Sequence, residues 1–384
     1  MTSKESADWS IRDGSVLKDQ RNAFDRMREQ CPVARDVEGH WTLFRHADVR
    51  RVLLDHERFS NQVSRHISVP NGMDPPEHTP FRQLIEPYFN EQRVAWFKPV
   101  CRAIADELAQ KLKGRTQVEL MADFALPFAL RAQCAFMGWS QELQEPLRSW
   151  VQRSNKAALE QDRPALASLA AEFEAIVGEQ LTLRRQAGAA PDADITSELM
   201  HEEVNGRLLT DEEIASILRN WTVGEVGTLA AAIGIIAQHL AEDAELQQLL
   251  REQPERLYYA NDEIQRMHNP LLENRRRATC PVELGGRQIG EGERVILNWV
   301  AANRDPAVFP EPERFSWDRN PQDNLLYGAG VHVCPGAPMA RMELVEVIDS
   351  LLQHSSCLQL ATDQQPVLAR YPATGYAQLW LTGF

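Results

Sequence analysis

The segment Tyr327-Gly328-Ala329-Gly330-Val331-His332-Val333-Cys334-Pro335-Gly336 gathers glycines, a histidine and a cysteine into one short loop. Gly328, Gly330 and Gly336 permit tight turns and a close approach of backbone to a flat ligand. Cys334 stands just before a helical stretch, Ala337–Leu352, where backbone N–H groups and the helix dipole favour thiolate over thiol. A thiolate so placed is one of the established axial ligands of haem iron, to which it donates electron density. A glycine-rich turn around a buried, inert cysteine fits the same residues, so the loop alone leaves both readings open.

The elements that must position this loop come from the rest of the 384 residues, of which 43% are hydrophobic and 25% charged. Those proportions belong to a folded globular protein. A net charge of −14 argues against nucleic acid as a general partner. The six cysteines, Cys31, Cys101, Cys134, Cys280, Cys334 and Cys357, are scattered and form no CxxC pair. That pattern disfavours a zinc module or disulfide scaffold and favours a reduced compartment. The first sixteen residues lack the apolar core of a secretion signal. The apolar run Val226–Ala237 is too short to span a bilayer and suits a core helix. A soluble, cytoplasmic protein without a membrane partner is expected.

No repeat and no long linker divides the chain, so residues 1–384 read as a single domain. Trp41–Phe44 predicts a strand and Ala47–Leu54 a short helix. Phe97–Leu112 carries Val100, Ile104, Leu108 and Leu112 at helical spacing, and Leu143–Leu159 and Leu166–Leu183 follow similar patterns. Thr210 and Glu213 form a capping box that opens a long helix through the apolar run, with at least one further helix before Pro254. The clearly sheet-like stretch is Val282–Leu297, turned by Gly285-Gly286 and Glu291-Gly292. The expected fold is mainly α with small β-sheets.

With these elements in place, the chain resembles the cytochrome P450 family over nearly its whole length. The loop is similar to the family's signature Phe-x-x-Gly-x-His-x-Cys-x-Gly, with Tyr327 in the Phe position. Glu263-Ile264-Gln265-Arg266 matches the Glu-x-x-Arg helix. Ala301–Pro306 and Pro312–Phe315 match the segment between that helix and the loop. Asp74-Pro75-Pro76-Glu77-His78-Thr79 with Arg82 resembles the helix that touches the haem propionates. The resemblance implies one P450-like haem domain, with haem b between a long distal helix and the proximal loop.

By that resemblance Cys334 is the iron ligand, and His78, Arg82, His332 and one of Arg275, Arg276 and Arg277 donate to the propionates. Counting back from Val282-Glu283-Leu284 selects Arg276, with its neighbours as alternatives. Ordinary solvated surface side chains are the competing reading of His78 and Arg82. Glu263 and Arg266 are implied to form a buried structural network with Arg314 or Arg319, of which Arg314 is taken.

Two departures from the family pattern matter. Pro335 lacks an N–H, so the sulfur accepts one hydrogen bond fewer and keeps more charge, or proline simply stiffens the loop. On the distal helix the family's Ala/Gly-Gly-x-Asp/Glu-Thr is replaced by Gly224-Glu225-Val226-Gly227-Thr228. Thr228 is kept, Gly227 occupies the acid position, and Glu225 lies one turn before Thr228 on the same face. Glu225 relays protons to the chemistry in one reading. In others, ordered water or substrate does so, peroxide replaces dioxygen and electrons, or Glu225 binds a polar substrate group or an arginine.

Trp221, Val226, Leu271 and Leu272 are expected to line an apolar pocket for a small or medium organic substrate. Arg65 and His66 are candidates to meet a polar substrate group or are solvated, and the short connection at Gln161–Pro164 implies a compact roof. No dinucleotide or iron–sulfur motif accompanies the loop, so electrons are expected from a separate ferredoxin or flavodoxin and its reductase. Lys98, Arg102 and Arg341 are candidates for that docking patch, or scattered surface charge.

The leading reading is a haem-thiolate monooxygenase that inserts one atom of dioxygen by hydroxylation or dealkylation, with Thr228 and Glu225 in the catalytic machinery. A peroxygenase or non-oxygenating catalyst, and a catalytically silent haem- or carrier-binding protein, are the alternatives.

Overall fold

The computed structural model describes residues 8–64 and 66–384. The candidate Arg65 lies outside them. The Thr210 hydroxyl accepts from the Glu213 N–H at 3.2 Å, and the Glu213 carboxylate accepts from the Thr210 N–H at 2.8 Å. This reciprocal cap, backed by Asp211 and Glu212 at the positive end of the dipole, starts a helix over Asp211–Glu242. Among the described residues it is the one helix long and apolar enough to cross a membrane, but most of its apolar window is buried within this fold.

Around this central helix pack Leu126–Met137, Arg163–Ala187, Leu257–Met267 and Ala337–Gln353. Glu91–Gln110 lies against both Ala337–Gln353 and Leu126–Met137. One continuous apolar core joins them. The expected helices are present, with Phe97–Leu112 extended at its start to Glu91 because Asn90 caps there, accepting from the Arg93 N–H at 2.9 Å.

Gln144–Glu160 and Arg163–Ala187 are joined by Gln161 and Asp162 alone. Gln161 takes φ 58°, and Asp162 caps the second helix. Arg12 pins this connection by donating to the Leu159 carbonyl at 3.2 Å and the Glu38 carboxylate at 2.8 Å.

The largest sheet has five strands in the order Val33–Arg35, Trp41–Leu43, Arg294–Asn298, Glu273–Ala278 and Phe59–Ser60. The second and third are parallel and the other pairs antiparallel. Beside it, Gly285 and Gly286 (φ 54° and 78°) close the hairpin Val282–Leu284/Arg287–Ile289, as their sequence requires. The rest of the sheet structure consists of short two- and three-stranded pieces.

Glu263 and Arg266 form a double ion pair at 2.8 and 3.0 Å, with Arg266 also donating to the Asn303 and Pro312 carbonyls. The third member is Arg319, whose Nε donates to Glu263 at 2.8 Å. Arg314 is corrected: its side chain is 75% exposed and pairs with Glu311. The chain turns between the two arginines, and Arg319 folds back to hold the Pro310, Glu311 and Arg314 carbonyls.

Candidate functional site

Cys334 is held by its own N–H, which donates to the Tyr327 carbonyl at 2.8 Å and closes the glycine loop. Gly330 has φ 72°, and a Cβ there would lie 2.4 Å from the Leu53 carbonyl oxygen, so the loop presses directly on the helix His46–Leu54. Beyond Pro335, the Gly336 and Ala337 N–H groups point at the sulfur. Burial raises the thiol pKa, and these two N–H groups and Arg82 oppose that rise.

Cys334 keeps accessible surface although protein surrounds its sulfur almost completely, so that surface belongs to an internal hollow. The central helix faces the same hollow. Val223, in the middle of this core helix, is 56% exposed, and Gly224 and Gly227 are exposed beside it. A Cβ on either glycine would meet nothing within 4 Å. The Glu225 charge acts on the Cys334 sulfur from this side. Thr228 follows one turn after Gly224 and is partly buried.

The rim of the hollow collects cationic and N–H groups, and its two histidines lack acceptors. His78 opens the helix His78–Ile85, with Arg82 one turn along it. The His78 and His332 rings lie 4.5 Å apart, and each Nε2 is buried without a partner. Arg276 is 5% exposed and donates only to the Arg275 carbonyl at 2.9 Å, with no carboxylate in ion-pair reach among the described residues. Strand alternation explains the choice: Arg275 and Arg277 point outward, and Arg275 bonds Tyr371 and Glu273. Arg82 donates to the Val333 carbonyl at 2.6 Å and to Glu86 at 2.9 Å.

Burial lowers the His332 pKa to about 3, helped by His78, Arg276 and Arg82. Burial and Arg82 likewise lower that of His78, and burial brings Arg276 down to about 10. Buried cations and N–H groups without an anion are costly, and two ligand carboxylates are what this donor set fits. A flat group carrying two acidic arms therefore suits the hollow, with Cys334 on one face.

The other candidates separate. Trp221 joins an aromatic block with Tyr88, Phe89 and Phe136 at 5.3–5.9 Å, and Phe89 abuts the thiolate loop at Gly336. Val226 is corrected: it is fully buried in the core, because the helical period turns 226 away from the face carrying 223, 224 and 227. Leu272 is also corrected, since it packs with Phe24 and Val300, while its neighbour Leu271 is 38% exposed. His66 is exposed. The stretch Ile67–Val69 is tied to the central helix by Ser216, Arg219 and Asn220. Lys98 and Arg102 both reach Glu346, Arg102 also binds Asp106 and Asp349, and Arg341 binds Asp262. The expected basic patch is thus largely neutralised in place.

Sequence reasoning missed Glu343, a buried carboxyl on Ala337–Gln353 that meets Glu225. The available signal was a glutamate among Met339, Met342 and Val347 on that helix's apolar face.

The fold matches cytochrome P450 CYP109Q5 from Chondromyces apiculatus with a TM-score of 0.85 and 26% identity, covering 97% of each chain. The cytochrome P450 family profile matches residues 143–370. The probable cytochrome P450 127A1 of Sinorhizobium fredii is 33% identical, over 91% of this chain and 84% of its own length. The chain belongs to the cytochrome P450 family. The erythromycin C-12 hydroxylase of Saccharopolyspora erythraea, 31% identical over 89% of this chain and 92% of its own, is a further relative. This P450 is an oxidoreductase of the monooxygenase class, and its prosthetic group is iron protoporphyrin IX. The donor set at the rim and the thiol across the hollow fit that group.

Proposed function

We propose that this P450 is a single-domain cytoplasmic enzyme that hydroxylates or dealkylates a small or medium organic substrate, using dioxygen and electrons from a separate ferredoxin or flavodoxin with its reductase. The observation that carries the reading is one hollow with a thiol on one wall, a glycine-opened helix bearing Thr228 on the other, and acceptor-less histidines at its rim. Cys334 would ligate the iron, and His78, Arg82, Arg276 and His332 would hold the two propionates. Haem, when bound, supplies the activation of dioxygen.

The protein's own contribution is binding, exclusion of water and proton supply. Glu225 and Thr228 share a helix face, and burial pushes the Glu225 pKa up, which favours a protonated carboxyl able to donate. The two-residue link Gln161–Asp162, pinned by Arg12, supports a compact roof and a substrate of modest size. The hydroxylase named among the relatives supports hydroxylation as the reaction class.

The test is reconstitution with a ferredoxin or flavodoxin and reductase, using compounds that shift the haem from low to high spin. Product carrying one atom from labelled dioxygen is expected, and turnover by peroxide alone would contradict the reading. Glu225→Gln should lower productive turnover by roughly 10²–10⁴-fold while reductant is still consumed. Intact coupling in that variant removes Glu225 from the relay.

A further inference from the structure

We propose that Glu343 of the thiolate-side helix and Glu225 of the distal helix hold one proton in common, a buried carboxyl pair that stores the proton Glu225 delivers toward Thr228. The inference rests on the relay reading of Glu225 and adds the partner with which it shares its proton. Glu343 touches neither haem nor substrate in this account. It is a positioning residue that acts through Glu225.

The geometry leaves little else for the two carboxyls to do. The helix Ala337–Gln353 passes against the central helix, and Glu343 sits on its buried face. The two carboxyls meet there in hydrogen-bond contact. Glu343 Oε1 accepts from the Cys101 thiol at 3.8 Å, whereas Glu343 Oε2 and Glu225 Oε1 are both buried with no donor from any other group.

Among the described residues no Lys, Arg or His makes an ion pair with either carboxyl. The titratable groups facing them from neighbouring elements are Cys101 on Glu91–Gln110 and Cys334 in the loop. Along its own helix, Glu346 is committed to Lys98 and Arg102, and Arg341 to Asp262 on the neighbouring Leu257–Met267. Two ionised carboxylates cannot hydrogen-bond each other, and two buried negative charges without a cation repel strongly in a low dielectric. One shared proton satisfies both orphan oxygens and leaves a single negative charge.

Burial raises the pKa of both carboxyls, and the pair titrates as a unit. When the shared proton settles on Glu225 and is released toward Thr228, both carboxyls are left ionised, and their mutual repulsion draws a replacement proton from solvent back to the pair. Glu346, one turn after Glu343 on the same helix, is bridged to the exposed Lys98.

Infrared spectroscopy of the haem-loaded protein tests this directly. The native protein should show a protonated-carboxyl band at neutral pH that shifts in D2O and disappears as pH rises. Glu343→Gln, in which an amide N–H donates to Glu225, should remove that band at neutral pH and move the Glu225 titration down by about one pH unit or more. Glu225→Gln should alter the same band from the other side, so the result does not hang on one variant folding. The pH at which reductant–product coupling falls should shift with Glu343→Gln in the same direction. An unchanged band and midpoint in both variants overturns the shared proton, even if Glu225→Gln still uncouples turnover. Intact coupling in Glu225→Gln overturns the relay reading instead, whatever the band shows.

Discussion

Arg276 is a guanidinium buried on the inner side of a strand with only a backbone carbonyl to satisfy it. A carboxylate from the prosthetic group converts that cost into a charge-assisted hydrogen bond, of order 1.5–3 kcal/mol. Arg276→Met keeps the bulk and removes the charge. It should speed haem loss, measured by transfer to apomyoglobin, by roughly 10- to 100-fold. Pro335 acts on the other side of the hollow. The sulfur has N–H donors from Gly336 and Ala337 but none from residue 335. Pro335→Ala adds a donor, stabilises the more reduced sulfur–iron unit, and should raise the iron potential in spectroelectrochemical titration. An unchanged potential would reduce Pro335 to a stiffener of the loop.

At the scale of elements, the Glu263–Arg266–Arg319 network ties the helix Leu257–Met267 to the segment that leads into the thiolate loop. Arg319→Ala leaves part of a buried carboxylate unpaired and should cost about 3–5 kcal/mol in chemical unfolding, whereas Arg314→Ala should stay within about 0.5 kcal/mol. Equal losses would mean that the network is not the fastening it looks to be. The same contrast marks what was legible beforehand. The capping box at Thr210 and the signature around Cys334 are local patterns, so the central helix and the loop could be read from the chain. Arg319 was chosen over Arg314 by a turn in irregular backbone, which no periodicity encodes. The strand Glu273–Ala278 went unread because its inward residue is an arginine, so apolar alternation is absent until a ligand carboxylate is supplied. Val226 and Leu272 were misplaced because adjacent residues on a helix or extended chain face different ways. Glu343 required knowing which helices touch.

The whole molecule is a set of helices and small sheets packed around a hollow that the protein's own side chains do not fill, and it keeps several imidazoles neutral by burial. His268 is the clearest: burial, then Arg21 and Arg304, lower its pKa to about 3. His239 is lowered by burial as well. A depressed folded-state pKa means that the unfolded chain binds more protons, so this stability is present above about pH 6.5 and is lost as pH falls toward the folded value. Melting temperature should therefore drop on acidification, and His268→Gln should reduce the proton uptake on unfolding by about one proton. A pH dependence identical to the parent would assign acid sensitivity to other groups. The claim on which the rest depends is the ligation of haem iron by Cys334, and the absorbance of the reduced, carbon-monoxide-bound protein measures it most directly. The parent should show the red-shifted Soret band from which the family takes its name, and Cys334→Ser should lose it. The same band in both proteins would contradict the account.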